Sequence, residues 1–564
     1  MAKRILIIGG VAGGASAAAR LRRLDESAEI IMFERGNYIS FANCGLPYYI
    51  GDEIKNRDDL LLQTPEKFNK RFNVEVRINN EVTEIDPEKK QINVKNLSTG
   101  ETYTESYDKL ILSPGAEPAK PPRPGIDSER IFTLRNVPDT DLINDFINKN
   151  KPKRAVIVGA GYIGLEMAEN LRRRSMLVAI VEMVDQVLPV MDKDMTSFIQ
   201  QELHKQNVAL WLNDAVANFQ PSDSRLMVGL KSGMELSCDM VILAMGVKPE
   251  VKLARQAKLE IGTTGGIKVN RQLQTSNPDI YAIGDAIEVQ DFTLDNPILI
   301  PLAGPANKQG RMAADNICGR SRKYNGTQGT SILKVFDLTV AMTGASEKAL
   351  AKTNIEYEKL YIHPANHVGY YPGAEQMHIK LLFTKPKGKI LGAQIVGSHG
   401  VDRRIDILAV AIRAGMTVFD LQELELAYAP PYGSGKDAVN MAGFVASNIL
   451  EGTIEVVHWD QLDETDYILD VRTVGEFKRG NVQSSVNIPV DQIRNRLNEL
   501  PKNTTINIYC TVGVRSYIAC RILMQKGFNV RNISGGLITY CSYQNKETLE
   551  SPTARQLKEE FCFI

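Results

Sequence analysis

Apolar residues in this chain fall in short unbroken runs, separated by glycine turns and helix-length segments. The first run, Ile5 to Ile8 in "RILIIGGVAGGASAAARLRRL", leads into a glycine cluster and then an alanine-rich stretch. A second copy of the pattern is "RAVIVGAGYIGLEMAENL", whose run is Ala155 to Val158. Such runs suit strands buried on both faces of a parallel sheet. Each copy is followed by another apolar run closed by an acid, "EIIMFE" ending at Glu34 and "LVAIVE" ending at Glu182. The copies stand about 150 residues apart and read as an internal repeat of one strand–helix–strand design.

Glycines at such a turn let the chain bend sharply and let the backbone approach a pyrophosphate, which then sits at the positive end of the helix. In the first copy Gly9 and Gly14 fit the outer positions and Val11 takes the middle one; the second copy has the full pattern at Gly159, Gly161 and Gly164. Glu34 and Glu182 stand where an acid binds ribose hydroxyls. An acid at Glu182 repels a 2′-phosphate, so NADH is expected in preference to NADPH.

The pattern changes twice farther on. Residues 326–450 mix strand-like stretches ("SILKVFDLTVAMTG", "MHIKLLFT", "ILGAQIVG") with helices. After "NILEGTIEVVHWDQL" a small α/β pattern begins afresh. The expected fold class is α/β: two Rossmann-like dinucleotide-binding domains, an α+β domain and a C-terminal α/β domain.

Composition narrows the function classes. Lys+Arg and Asp+Glu both total 67, which argues against whole-protein affinity for nucleic acid or an anionic membrane. Seven cysteines, at 44, 238, 318, 510, 520, 541 and 562, are unevenly spaced, odd in number and without zinc spacing. They suit a reducing compartment in which a few thiols react, and no metal site is expected. The N-terminus looks superficially like a signal peptide, but glycines break its apolar part and it runs on into the repeat. No membrane span is expected, and the location expected is the cytoplasm.

Three further segments carry a resemblance. "TSNPDIYAIGDA" (residues 275–286), "LILSPGAEP" (110–118) and "VILAMGVKPE" (241–250) resemble the second flavin motif and the two chain crossings of the two-dinucleotide-domain flavoprotein reductases. The resemblance implies FAD in the first fold (1–120 and 251–325), with Asp285 on the ribityl chain. It also implies NAD(P)H in the second (121–250) and a dimerisation domain (326–450) that makes a homodimer.

"ISFANCGLPYYIG" holds a single cysteine, Cys44. Glutathione-reductase-like members have a CxxxxC pair here, but Tyr49 occupies the second position. The stretch resembles the single-cysteine branch, and within it the coenzyme A-disulfide reductases. NADH peroxidases and oxidases of that branch carry a histidine in the first glycine loop; Ala12 stands there, and no histidine precedes His204. Ser16, Arg20 and Arg23 are spaced i, i+4, i+7 and share a helix face that is able to clamp phosphates. The resemblance implies that coenzyme A, as substrate or tightly bound cofactor, also meets Ser40, Asn43, Lys70 or Arg71, and Lys436. The position nearest the family's lysine is Phe72. It further implies two tyrosines from the partner subunit over the thiol; spacing favours Tyr370 and Tyr428, with Tyr371 left open. The N-terminus of a helix beginning near Pro47 is expected to favour the Cys44 thiolate.

"YILDVRTVGEFKRGNVQSSVNIP" and "INIYCTVGVRSYIACRILMQKGF" resemble a rhodanese domain (455–548). The resemblance gives Cys510 a loop of backbone N–H groups and a positive charge from Arg515, which together favour a thiolate or persulfide. Asp470, Arg472, Glu476 and Pro489 fit the flanking pattern; Cys520 reads as structural, and Cys541 and Cys562 have no assigned role. The combined expectation is a FAD-dependent NAD(P)H oxidoreductase acting on coenzyme A persulfide, polysulfide or coenzyme A disulfide through Cys44, with Cys510 carrying sulfane sulfur. Plain coenzyme A-disulfide reduction, NADH oxidase or peroxidase chemistry, and a non-catalytic sensor or sulfur-delivery role are the alternatives.

Overall fold

The computed structural model describes residues 2–222, 225–544, 558 and 561. Cys562 lies outside them. The chain divides into two compact units, one built mainly from residues up to 183 and 210–329, the other from 184–209 and from 330 onward.

The first unit is organised around two five-stranded sheets. One has the order Ile280–Ala282, Lys109–Leu112, Arg4–Ile8, Glu29–Glu34, Glu75–Ile78, with all neighbours parallel. The other has the order Val208–Trp211, Leu177–Val181, Arg154–Val158, Met240–Leu243, Ile131–Thr133, and its central pairs are parallel. Ile5, Leu6, Ile7, Val156 and Ile157 are wholly buried, as strands covered on both faces must be. The segments read as chain crossings meet one another: Ala116–Pro118 pairs antiparallel with Val247–Pro249.

Small residues let two helices approach closely in this unit. A Cβ on Gly310, in helix Ala303–Ile317, would lie 2.4 Å from the Gly13 carbonyl oxygen of helix Ala12–Leu24. The same contact carries an Arg20–Asp315 ion pair at 2.7 Å and a Ser16–Asn307 hydrogen bond.

In the second unit an antiparallel sheet runs Ser331–Val335, Leu338–Gly344, Ile390–Gly397, His378–Thr384, Tyr357–Ile362. A separate parallel sheet runs Val456–Val457, Val530–Ile533, Ile506–Tyr509, Tyr467–Asp470, Val486–Asn487. The two are bridged by charge. Lys380 is wholly buried, and its ammonium lies 2.9 Å from both Asp192 and Asp194 and 2.5 Å from Glu347, so it fills the centre of a three-carboxylate cluster. Tyr361 donates to Asp194 and meets the Tyr543 hydroxyl at 3.0 Å; Lys359 reaches Asp460 at 3.0 Å, and His363 meets Thr539 at 2.9 Å. Among the described residues no helix is long and apolar enough to cross a membrane.

Candidate active site

The two glycine turns are built alike at their outer positions. Gly9 and Gly159 have φ of +96° and +106°, and a Cβ on either would run into the backbone of the neighbouring strand's end, at Ser113 O (2.1 Å) or Ala244 O (2.4 Å). A Cβ on Gly14 or Gly164 would strike the carbonyl oxygen of Gly9 (1.9 Å) or Gly159 (2.1 Å). The middle position differs because nothing inside the protein constrains it. Val11 and Gly161 both have negative φ, and a Cβ on Gly161 meets nothing within 4 Å. The imperfect first fingerprint is therefore sterically complete. Both acids face their turns: Glu34 accepts from Gly10 N–H (3.0 Å) and Glu182 from Ala160 N–H (2.8 Å).

These residues fit the groups that the sequence implies. At the second turn a Cβ on Gly161 would enter open space, so bare backbone is presented where a pyrophosphate would sit. Asp285, in the turn Gly284–Ala286, is half-buried, and burial raises its carboxyl above the usual range, opposed by Arg135. Among the described residues it makes no hydrogen bond or ion pair, so it is an acceptor suited to a polyol such as a ribityl chain.

Cys44 lies in a single turn of 3-10 helix, Asn43–Gly45, that runs into the short helix Leu46–Ile50. The segment is tied to the first glycine turn, since Ser40 sits in the left-handed region (φ +46°) and its N–H donates to Gly10 O at 2.9 Å. Asn43 and Cys44 are exposed. One expectation is corrected here. The thiol is pushed above its ordinary value, first by the protein packed around it and then by the carboxylates of Glu166 and Asp285. Burial and these two acids therefore oppose the thiolate that the N-terminus of helix Leu46–Ile50 was expected to favour.

The expected phosphate clamp is also divided. Ser16 and Arg20 are engaged by Asn307 and Asp315, and Arg23 alone on that face is exposed. Lys70 and Arg71 are both exposed at the end of helix Pro65–Phe72, while Phe72 turns inward onto Phe68 (4.9 Å).

In the second unit the Tyr370 and Tyr428 hydroxyls are 3.0 Å apart, and both residues are exposed. Tyr371 instead packs edge-on against His367. Lys436 is exposed beside this pair, a Cβ on Gly435 falling 4.0 Å from the Tyr428 ring.

Cys510 closes strand Ile506–Tyr509 and is wholly buried. Its sulfur accepts from Gly513 N–H at 3.2 Å and from the Ser516 hydroxyl at 3.6 Å; Gly513 has φ +102°. Arg515 acts electrostatically on Cys510, and its guanidinium is also held by both Glu476 oxygens, at 2.6 and 2.7 Å, and by Thr511 at 3.0 Å. That grip holds the Glu476 carboxyl far below the usual range. Asp470 and Arg472 form a buried pair that orders the loops through Asn487 and Gly480. Pro489 precedes the turn Val490–Asn495. Cys520 is wholly buried, and burial raises its thiol far above the ordinary value; Cys541 is exposed.

Sequence reasoning passed over Glu166 and Tyr48, whose side chains hydrogen-bond near Cys44. The only signal was an acid amid the small and apolar residues of "YIGLEMAE".

Comparison with known proteins gives three family matches. Residues 3–310 match the pyridine nucleotide-disulphide oxidoreductases, 330–438 the dimerisation domain of that family, and 457–542 the rhodanese-like domain. A coenzyme A disulfide reductase of Staphylococcus haemolyticus is 38% identical over 448 residues, spanning 79% of this chain and 100% of that protein. The crystal structure of reduced Bacillus anthracis CoADR-RHD is 50% identical, with a TM-score of 0.95 and full coverage of both chains. A NAD-dependent persulfide reductase from A. fulgidus is 36% identical with a TM-score of 0.90, covering 95% of this chain and 100% of the other.

Proposed function

The chain belongs to the pyridine nucleotide-disulphide oxidoreductase family, and on that premise we propose that it reduces coenzyme A persulfide, polysulfide or coenzyme A disulfide through Cys44. Cys510 carries sulfane sulfur to or from the same small molecules, NADH is the preferred donor, and the active form is a cytoplasmic homodimer. What supports this reading is the presence of two unlike thiol sites in one chain, an exposed Cys44 in the dinucleotide-binding unit and a cradled Cys510 in the rhodanese-like domain.

FAD, when bound, would supply two-electron transfer between nicotinamide and sulfur. Gly9, Gly14, Glu34 and Asp285 would hold it, and Gly159, Gly161, Gly164 and Glu182 would hold the nicotinamide dinucleotide. The chain's own part is nucleophilic. The Cys44 thiolate attacks a sulfur–sulfur bond of the substrate and retains one sulfur-bearing fragment while the other leaves. The phenols of Tyr370 and Tyr428, from the partner subunit, hydrogen-bond the departing thiolate. Arg23, Arg71 and Lys436, with Ser16, Arg20, Ser40 and Asn43, contact coenzyme A. Each turnover consumes one NADH and one proton, and yields coenzyme A with sulfide from a persulfide or two coenzyme A from the disulfide.

The test is anaerobic NADH oxidation with coenzyme A disulfide, coenzyme A persulfide and polysulfide in parallel, for wild type, Cys44→Ser and Cys510→Ser. The reading requires sulfide release by wild type, no turnover in Cys44→Ser, and a loss in Cys510→Ser far larger for polysulfide than for coenzyme A disulfide. Reduction of coenzyme A disulfide alone, with Cys510→Ser silent, leaves a plain coenzyme A-disulfide reductase. An oxidase or peroxidase reading has less support, because Ala12, at the start of its helix, offers no base to steady a sulfenic acid.

A further inference from the structure

The Cys510 loop is not held by its own domain alone. Tyr357–Ile362 is an edge strand of the antiparallel sheet, so its outward N–H groups need partners from elsewhere. Tyr361 N–H donates to the Ser534 hydroxyl oxygen at 3.0 Å, in the segment that follows strand Val530–Ile533. Two glycines come next, both in the left-handed region, and each serves a close approach. A Cβ on Gly535 (φ +70°) would lie 2.8 Å from Tyr361 Cβ, and one on Gly536 (φ +60°) 2.4 Å from the Cys510 carbonyl oxygen. The segment is a strap with the edge strand on one side and the Cys510 loop on the other. Helix Gly536–Tyr543 fastens both sides. Its Leu537 N–H donates to Cys510 O at 2.8 Å and its Ile538 N–H to Thr511 O at 3.2 Å. The Thr539 hydroxyl then meets His363 Nε2 at 2.9 Å, and His363 Nδ1 meets His378 Nδ1 at 3.0 Å. Phe198 stacks flat on the His378 ring at 3.8 Å and holds it in place.

We propose that Ser534 and Thr539 are positioning residues for Cys510: anchored on Tyr361 and His363, they hold the strap that keeps the Gly513 N–H aimed at the Cys510 sulfur. The proposal rests on the reading of Cys510 as a reacting sulfur. The route is short. The carbonyls held by Leu537 and Ile538 belong to Cys510 and Thr511, the two residues that open the loop, and Gly513 N–H closes it onto the sulfur at 3.2 Å. Freeing a carbonyl at the base of so short a loop lets the N–H at its tip drift. An N–H withdrawn from a thiolate raises the thiol. Burial pushes both imidazoles below their ordinary range, His378 to about 4, so at neutral pH the rings are uncharged and one donates to the other. The anchor therefore stays unchanged across the pH range in which a thiol titrates.

The experiment is the pH profile of Cys510 alkylation by iodoacetamide in the flavin-loaded, thiol-reduced full chain, read by peptide mass spectrometry. Access to a buried sulfur scales the whole profile, whereas stabilisation of the thiolate sets its midpoint, so the midpoint is the readout. Thr539→Val keeps the side-chain shape and removes the hydroxyl; its midpoint should move up by about half a pH unit or more. Thr539→Ser should return the midpoint to that of wild type. Ser534→Ala cuts the other attachment and should move the midpoint the same way, which decides the matter if Thr539→Val does not fold. A midpoint equal to wild type in either folded variant overturns the proposal, whatever the plateau rate does. So does a shift that comes only with alkylation of Cys520, which is wholly buried and reacts when the domain opens. If Cys510→Ser is silent in polysulfide turnover while these midpoints shift, the reading of Cys510 as a sulfur carrier fails and the positioning stands.

Discussion

Cys44 and Cys510 are opposite solutions to holding a reactive sulfur. Cys44 is exposed and faces two carboxylates, whereas Cys510 is wholly buried and receives a backbone N–H and a hydroxyl. Burial and the two carboxylates disfavour an anion on Cys44, whereas two hydrogen-bond donors are aimed at the Cys510 sulfur.

The comparison is broken most severely at Cys44 itself. Cys44→Ser should lower NADH-dependent turnover of every disulfide or persulfide substrate about a thousandfold or more in steady-state assays. Gly513→Ala tests the cradle next. A Cβ there meets nothing closer than 3.8 Å, but φ of +102° is strained for any side chain. The cost should be about 1 kcal/mol in denaturant unfolding, with slower alkylation of Cys510 as the N–H drifts away. Glu476→Gln sharpens the contrast by freeing Arg515 and should speed Cys510 alkylation about threefold. It also alters acid behaviour. The Glu476 carboxyl is held below its unfolded value, so its contribution to stability is present at neutral pH and lost as pH falls through that depressed value. Wild type should therefore lose more melting temperature than Glu476→Gln between neutral pH and the acid limit of the transition. The smallest effect is expected at Tyr428→Phe, where losing one phenolic hydrogen bond should slow turnover about threefold to tenfold.

Local rules made much of this legible from the chain alone. The Gly9–Gly14 and Gly159–Gly164 contacts and the closing acids of both turns lie within about 30 residues of each other, and only Ser113 and Ala244, which also crowd Gly9 and Gly159, come from farther along the chain. Their near-identical geometry follows, and Val11 is explained by a backbone angle that any residue adopts. The misreadings share one cause, which is a partner distant in sequence. The spacing of Ser16, Arg20 and Arg23 gave the face correctly but not that Asn307 and Asp315 cover most of it. Arg515 acquires its Glu476 partner only in the fold. Glu166 acquires its character only from being packed against Tyr48 and Glu169. The ambiguity between Tyr370 and Tyr371 was likewise not local: one ring turns toward Tyr428 and its neighbour toward His367.

The buried Lys380 ammonium gives the second unit a property that its domain divisions conceal. Its three carboxylates draw in Tyr361, and through Tyr361 and Lys359 the network reaches Tyr543 and Asp460 of the C-terminal region. Cutting the chain at the start of the rhodanese-like domain would strip Lys359, Tyr361 and His363 of Asp460, Tyr543 and Thr539 and leave them only Glu347, Asp194 and His378. The rhodanese-like domain is thus a keystone as much as a passenger, and swapping in a foreign counterpart would require transplanting this electrostatic seam along with the Cys510 loop.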